Sequence, residues 1–216
     1  MGEMVRRVYG ADSFAKLADE LIFAPLGMSD TAFGLPERLA ERAVPLKAYL
    51  PEGGFLQPED IECLNRYITS DAEIPWVGAV STARDVHAFA EMLRRKGEVG
   101  GEYLISPAIL DQATTLQTGD MPNDLYAQMA MARGWEIPAG NFGLGFSLSG
   151  TGTAPNFFGP FTSPRTHGNY GAGSSLFWVD PERDMTLTFL SAGVMEESEN
   201  VARFQKISTM AACTAV

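Results

Sequence analysis

Apolar residues first recur at helical spacing after Gly10. Phe14, Leu17, Ala18, Leu21 and Ile22 stand at i, i+3, i+4, i+7 and i+8, which predicts an amphipathic helix with one buried stripe. Asp12 or Ser13 caps it in this reading, because their side-chain oxygens accept from free backbone N–H groups. Pro25 ends it, with Gly27 as the stop. Between 34 and 75 the period is lost. Pro36, Pro45, Pro51, Gly53, Gly54, Pro58 and Pro75 punctuate this stretch, which predicts irregular surface chain with a short helix near 58–67. Helical spacing returns over about 82–95, with Val86, Phe89, Ala90 and Leu93 as the stripe. Thr82 with Asp85 three residues on resembles a capping box. Arg94, Arg95 and Lys96 sit where the helix dipole favours cations, and Gly97 stops the helix. Ser106 caps a third helix, with Pro107 at its first position.

From 140 on the period changes. Phe142 to Leu148 reads as one strand and Ser174 to Val179 as a second. Met185, Leu187 and Phe189 alternate with Thr186 and Thr188 in a third, half-buried one. Asp180-Pro181-Glu182-Arg183-Asp184 makes the connecting turn. A last helix begins near Ser198, with Val201, Phe204, Ile207 and Ala211 on one face. The order predicts an α+β fold: a helical lobe over 1–140, then antiparallel strands in a meander and a terminal helix over 141–216.

Charge narrows the partners. Lys+Arg is 16 against 27 Asp+Glu, a formal net charge of −11, so nucleic acid and anionic membranes are not expected partners. Cys63 and Cys213 are the two cysteines; they cannot build a disulfide framework and read as free thiols. No apolar run reaches the ~18 residues of a membrane span. The residues Met1-Gly2-Glu3-Met4-Val5-Arg6-Arg7 form no secretory leader, and a chain complete as given would be cytoplasmic. No cofactor or metal is expected: His87 and His167 have no ligand spacing around them, and no glycine-rich phosphate loop occurs.

Several segments together resemble one family. Phe23-Ala24-Pro25-Leu26-Gly27-Met28-Ser29-Asp30-Thr31-Ala32-Phe33 resembles the PLGM-x-x-T signature of β-lactamase-related serine hydrolases, the group that includes penicillin-binding proteins and family VIII esterases. Trp76-Val77-Gly78-Ala79-Val80-Ser81-Thr82-Ala83-Arg84-Asp85 resembles their G-G-x-x-S-T-x-x-D segment, and Tyr103-Leu104-Ile105-Ser106-Pro107 the stretch after it. Phe142-Gly143-Leu144-Gly145-Phe146 resembles the start of a strand in that family. His167 through Pro181, ending in Phe177-Trp178-Val179-Asp180-Pro181-Glu182, resembles its last box and hairpin. The segments span nearly the whole chain in the family's order.

The resemblance implies an incomplete β-lactamase/transpeptidase-like fold and acyl-enzyme chemistry on a small-molecule ester or amide. In that family an S-x-x-K serine attacks the carbonyl, a Y-x-N or S-x-N motif moves a proton, and backbone N–H groups stabilise the oxyanion. The first two motifs precede PLGM, and only 24 residues stand before Pro25. The nucleophile is therefore expected upstream of Met1. The chain alone is expected to be inactive, and completed by the missing N-terminal portion in trans or stuck to itself at an open sheet edge. A non-catalytic binding module that reuses the half-fold is the alternative.

The third motif, K-T-G or H-x-G in the family, falls on Arg165-Thr166-His167-Gly168-Asn169-Tyr170-Gly171-Ala172-Gly173. His167-Gly168-Asn169, Thr166-His167-Gly168 and Asn169-Tyr170-Gly171 each fit one register, so His167, Gly168, Asn169 and Tyr170 are the candidate substrate-binding and oxyanion strand. Other matches read as decoys. Ser13-Phe14-Ala15-Lys16 fits S-x-x-K but lies in a packing helix. Ser198-Glu199-Asn200 fits S-x-N where capping explains it, and Ser70-Asp71-Ala72 lacks the amide. Gly145-Phe146-Ser147-Leu148-Ser149 misses the last glycine of a nucleophile elbow.

Overall fold

A computed structural model of the chain describes residues 1–51, 57–152, 155–171 and 175–214, apart from the Leu125 side chain. The chain divides into two compact units, Met1–Phe89 and Ala90–Val216.

The first unit opens with α1 (Gly2–Tyr9), whose Met4, Val5, Val8 and Tyr9 recur at helical spacing but stay exposed. Local pairs hold it: Arg6 and Arg7 both bond Glu3 one turn back, and Gly10 closes it at φ 63°. The expected helix follows as α2 (Phe14–Ala18), and Ser13 caps it by accepting from Lys16 N at 3.0 Å. Its second half departs from expectation. Residues Asp19–Phe23 form a π-helical turn, which takes more than 3.6 residues per turn and rotates the buried face. Phe23 is buried in consequence, while Leu21 and Ile22 stand 40% and 36% exposed.

Beyond it come β1 (Ala32–Phe33), α3 (Glu37–Ala40), β2 (Lys47–Tyr49), α4 (Pro58–Glu62), α5 (Leu64–Tyr67) and β3 (Ala79–Val80). The short helix expected near 58–67 is thus two helical turns in succession; Gly53 and Gly54 lie outside the described residues. β1 and β3 pair antiparallel, Ala32 opposite Val80. Ala18, Phe23 and Met28 form the core, packed by Leu26, Phe33, Ala88 and Phe89. The start of α6 (Ala83–Arg94) belongs here. Thr82 caps it by accepting from Asp85 N at 3.2 Å. Asp85 does not return the bond as a capping box would. Its buried carboxylate accepts from Asp30 N and Thr31 Oγ1, both at 2.8 Å, and so pins the loop after Met28.

In the second unit, β4 (Glu98–Val99) and β5 (Glu102–Tyr103) make a small hairpin. α7 (Pro107–Ala113) starts with Ser106 as its cap. α8 (Asp124–Arg133) lies in a stretch whose apolar residues show no clear period. Then come β6 (Ser147–Leu148), β7 (His167–Gly171), β8 (Ser175–Asp180), β9 (Met185–Leu190), β10 (Gly193–Met195) and α9 (Glu197–Ala212). β6, β7, β8 and β9 form one antiparallel sheet in chain order, the meander the alternation predicts.

The strand expected over 142–148 shrinks to β6 with a single bridge between Phe142 and Ser147. Asn141 at φ 47° and Gly145 at φ 83° bend the chain between them, and a left-handed residue cannot continue a strand. The second expected strand begins at Ser175; Ser174 lies outside the described residues.

Side chains of the sheet sort by register. Gly168 faces Trp178, which faces Leu187. On this side Trp178, Leu176, Phe157, Phe158 and Phe204 form the core, and Trp178 Nε1 donates to Ser208 Oγ at 3.0 Å. α9 supplies Val201, Phe204, Ser208 and Ala212 to the interior. It begins at Glu197, near Ser198 as expected, and its N-cap is Glu196, with its carboxylate accepting from Ser198 N and Glu199 N. On the sheet's other side, Thr186 Oγ1 donates to Glu91 Oε1 at 2.9 Å. The helical first part, the meander and the closing helix make the fold α+β.

Candidate functional site: the β7 strand

The approach to β7 is built around one carboxylate. Asp180 is fully buried at the end of β8. Burial pushes its pKa up, but hydrogen bonds from the Ser163 hydroxyl and amide and from Arg183 outweigh this and hold it below the usual carboxylate range. Ser163 Oγ donates at 2.6 Å and Ser163 N at 2.8 Å. Arg183 NH1 lies 3.1 Å away. Ser149 N donates to Thr166 O at 2.8 Å and Gly150 N to Pro164 O at 3.1 Å. The loop before His167 is thus clamped on both sides, and β7 leaves it in a fixed direction.

β7 then presents its residues alternately. His167 is buried, paired with Leu148 on one side and Val179 on the other. Its Nδ1 lies 3.1 Å from Arg165 O. A carbonyl only accepts, so Nδ1 carries the proton and Nε2 is the acceptor of the neutral ring. Burial is the largest influence on the imidazole, and its pKa falls below the ordinary value. The ring meets Phe146 edge-on at 5.7 Å. His167 is therefore a neutral, enclosed imidazole.

Gly168 is buried and matched to Trp178. Asn169 is the exposed residue of the strand. Its carboxamide reaches Gly145 O and Ser147 Oγ, each at 3.4 Å. β6 pairs only with His167 and Gly168, so among the described residues no strand pairs with 169–171 on this side, beside the 145–147 turn. Tyr170 projects to the core side, 4.5 Å from Phe157 and 5.9 Å from Phe204. Its hydroxyl donates to Glu197 Oε1. Of the candidates, the backbone of 169–170 and the Asn169 side chain are presented on the side that β6 leaves unpaired. The His167 and Tyr170 rings are packed away on opposite faces. Ala172 and Gly173 lie outside the described residues.

The other motif matches take ordinary structural places. Ser13 Oγ is the α2 cap, and Lys16 Nζ points outward to Glu20 at 3.8 Å with 62% of its side chain exposed. Asp71 is bonded by Thr69 Oγ1. Ser147 and Ser149 are buried in or beside β6. Ser198 Oγ accepts from Arg133 Nε at 2.8 Å, and Asn200 is buried in α9. His87 is exposed on α6, and Cys63 and Cys213 are free thiols. Among the described residues there is no group of three or more His, Cys, Asp or Glu able to hold a metal ion. No helix among them is long and apolar enough to cross a membrane.

The sequence reading missed two features of the site. Asp180 was legible only as a turn residue, although an Asp-Pro step closing a strand is the signal for it. Glu197 gave no signal, because its partners Tyr126 and Tyr170 lie 71 and 27 residues away.

Comparison with known proteins adds the following. The model of the beta-lactamase family matches residues 1–209. No curated protein matches the chain. Among solved structures, the chain is similar to a β-lactamase from Mycobacterium bovis, with 24% identity over 98% of this chain and 60% of that one, at a TM-score of 0.64. A penicillin-binding protein homologue from Caulobacter crescentus matches with 21% identity over 98% and 55% of the two chains, at 0.66. Simvastatin synthase from Aspergillus terreus matches with 17% identity over 100% and 54%, at 0.69. At these identities the likeness is one of fold. The chain spans between half and two thirds of the length of each.

Proposed function

The chain belongs to the beta-lactamase family, and from that premise we propose that it forms the substrate-lining part of a serine ester or amide hydrolase whose nucleophile lies on residues outside this chain. The observation that carries the reading is the open edge of β7 at 169–171, beyond the reach of β6 and beside the 145–147 turn. An extended acyl group laid along such an edge takes backbone hydrogen bonds, and a backbone N–H aimed at the carbonyl oxygen stabilises the developing oxyanion. His167 supports the strand from one face as a neutral ring, and Gly168 allows β8 to approach. No cationic side chain stands in the 166–171 stretch itself, which favours a neutral ester over a substrate with a carboxylate to be matched by a fixed cation on the strand.

The serine and lysine of the S-x-x-K match are engaged elsewhere, one as a cap and one with Glu20. In this reading the chain alone does not turn over. The missing nucleophile comes from a segment joined to this chain or supplied in trans. An outer strand of the sheet, β9, with the uncharged and proline-free sequence Met185-Thr186-Leu187-Thr188-Phe189-Leu190, is where added strand would pair.

The test is intact-mass measurement after incubation with a serine-directed fluorophosphonate. The expected result is an unchanged mass for the chain alone, and labelling of a serine on the added segment once an S-x-x-K-bearing partner is supplied. A stoichiometric adduct on this chain by itself would overturn the reading. Absence of any labelled serine in the reconstituted pair would favour the non-catalytic binding module.

A further inference from the structure

Behind the β7 edge lies a carboxyl group that the proposed chemistry does not use. Glu197 is the first residue of α9. Its Oε1 accepts from Tyr170 Oη, on the core side of β7, and from Tyr126 Oη of α8 at 3.4 Å. The two rings stand 6.4 Å apart. One oxygen therefore gathers three elements: the strand that lines the site, the helix before the sheet and the helix after it. Tyr170 is adjacent in sequence to Asn169, and its pairing opposite Leu176 fixes the register of the strand on β8. A residue that holds Tyr170 holds the open edge as well.

We propose that Glu197 is a positioning residue for the β7 strand, locking Tyr170 from behind and tying it through Tyr126 to α8. The assignment rests on reading β7 as the site strand. It acts on the backbone of 168–171 and touches no reacting atom.

The surroundings decide when the lock is firm. The charged and titratable groups that face Glu197 are Tyr126 and Arg133 from α8, Tyr170 from β7, and Glu196 and Glu199 from its own helix. Arg133 is already committed, with Nη2 3.6 Å from Glu196 and 4.0 Å from Glu199 and Nε on Ser198, and among the described residues no cation forms an ion pair with Glu197. Burial pushes Glu197 up to about 7, the Tyr126 hydroxyl works against this, and the Glu196 charge adds to it. Burial likewise drives the Tyr126 hydroxyl up, with the Glu197 charge adding to it, so this hydroxyl stays a donor. In the neutral form a proton on Oε2 leaves Oε1 as the carbonyl oxygen that accepts both hydroxyls. Ionisation places an unmatched charge against the aromatic rings.

Backbone hydrogen exchange, corrected for the intrinsic pH dependence, tests the lock without requiring catalysis. In the wild-type chain, protection of the segment covering 167–171 should fall about tenfold as pH rises through about 7, because the enclosed charge favours a local opening that rehydrates it. The segment covering 185–190 should keep its protection. Glu197→Gln, which stays neutral with an acceptor oxygen, should hold the high-protection state at every pH. Glu197→Ala should show the low-protection state throughout, and Tyr126→Phe a partial loss. A pH-independent wild-type profile, or equal loss at 185–190, would overturn the proposal. If Glu197→Ala does not fold, the wild-type profile against that of Glu197→Gln still decides. A failed labelling experiment with an intact exchange profile removes the proposed function and leaves the lock; the reverse pattern removes only the lock.

Discussion

Gly168 shows how much one missing methyl group matters. A Cβ at this position would stand 2.7 Å from Trp178 Cα and would also run into the Phe177 carbonyl oxygen. Both are backbone atoms of the neighbouring strand and cannot rotate away. Gly168→Ala is expected to cost about 3 kcal/mol through overpacking and loss of the β7–β8 register, read as a lower denaturant midpoint. Wild-type stability in that variant would mean that the strands do not approach as closely as this. Residues 167–170 were singled out by the resemblance of 165–173 to the family's third motif, and they lie on one strand. Which of them faces the edge was not legible. Alternation assigns two sets to two faces but does not say which face is covered. Only Trp178, Phe157 and Phe204, gathered from elsewhere in the sequence, put Tyr170 inside and leave Asn169 out.

At the scale of elements, local signals proved most faithful at caps and turns. Ser13, Thr82 and Ser106 each cap the helix that follows them. Asp184 at φ 52° completes the turn announced by Asp180-Pro181. Interiors were less faithful. The π turn at Asp19–Phe23 shifts the buried face of the first predicted helix, the apolar stripe of α1 stays exposed, and α8 carries no clear apolar stripe to read. Asp85 was expected to serve its own helix, and it serves a loop instead. Its two bonds to Asp30 and Thr31 leave unsatisfied buried donors when removed, so Asp85→Ala should destabilise the first unit by about 2–3 kcal/mol. Asp85→Asn, which keeps one acceptor oxygen, should recover part of that. Thermal melting of both variants checks this, and equal stability of the two would show that charge and not geometry is what the loop needs.

For the whole molecule, the buried carboxyls set a pH dependence of opposite signs. Asp180 is held below its ordinary value, so its contribution is complete above about 4 and is lost as pH falls further. Glu197 is pushed up to about 7. The folded chain keeps that proton where the unfolded chain has released it, so stability falls as pH rises from about 4.5 through about 7. At ~1.4 kcal/mol per pH unit for one proton, the loss between about pH 5 and about pH 8 is roughly 3 kcal/mol. The melting temperature should drop over that interval in the wild type and stay nearly level in Glu197→Gln. A wild-type melting temperature that stays level over the same interval would show that Glu197 ionises as freely in the fold as in the unfolded chain.

The sequence by itself determined what depends on neighbours a few residues away. Helix caps, the hairpin turn, the alternating β9 strand and the apolar face of α9 all follow from spacing, because backbone sterics and local hydrogen bonds act within one or two turns of chain. The tertiary structure decided what depends on distant groups. Asp85 meets its partners 54 and 55 residues away, and Glu197 meets Tyr126 across 71. Burial, protonation and the facing of a strand are properties of the space around a residue, and that space is filled by parts of the chain that no local window contains.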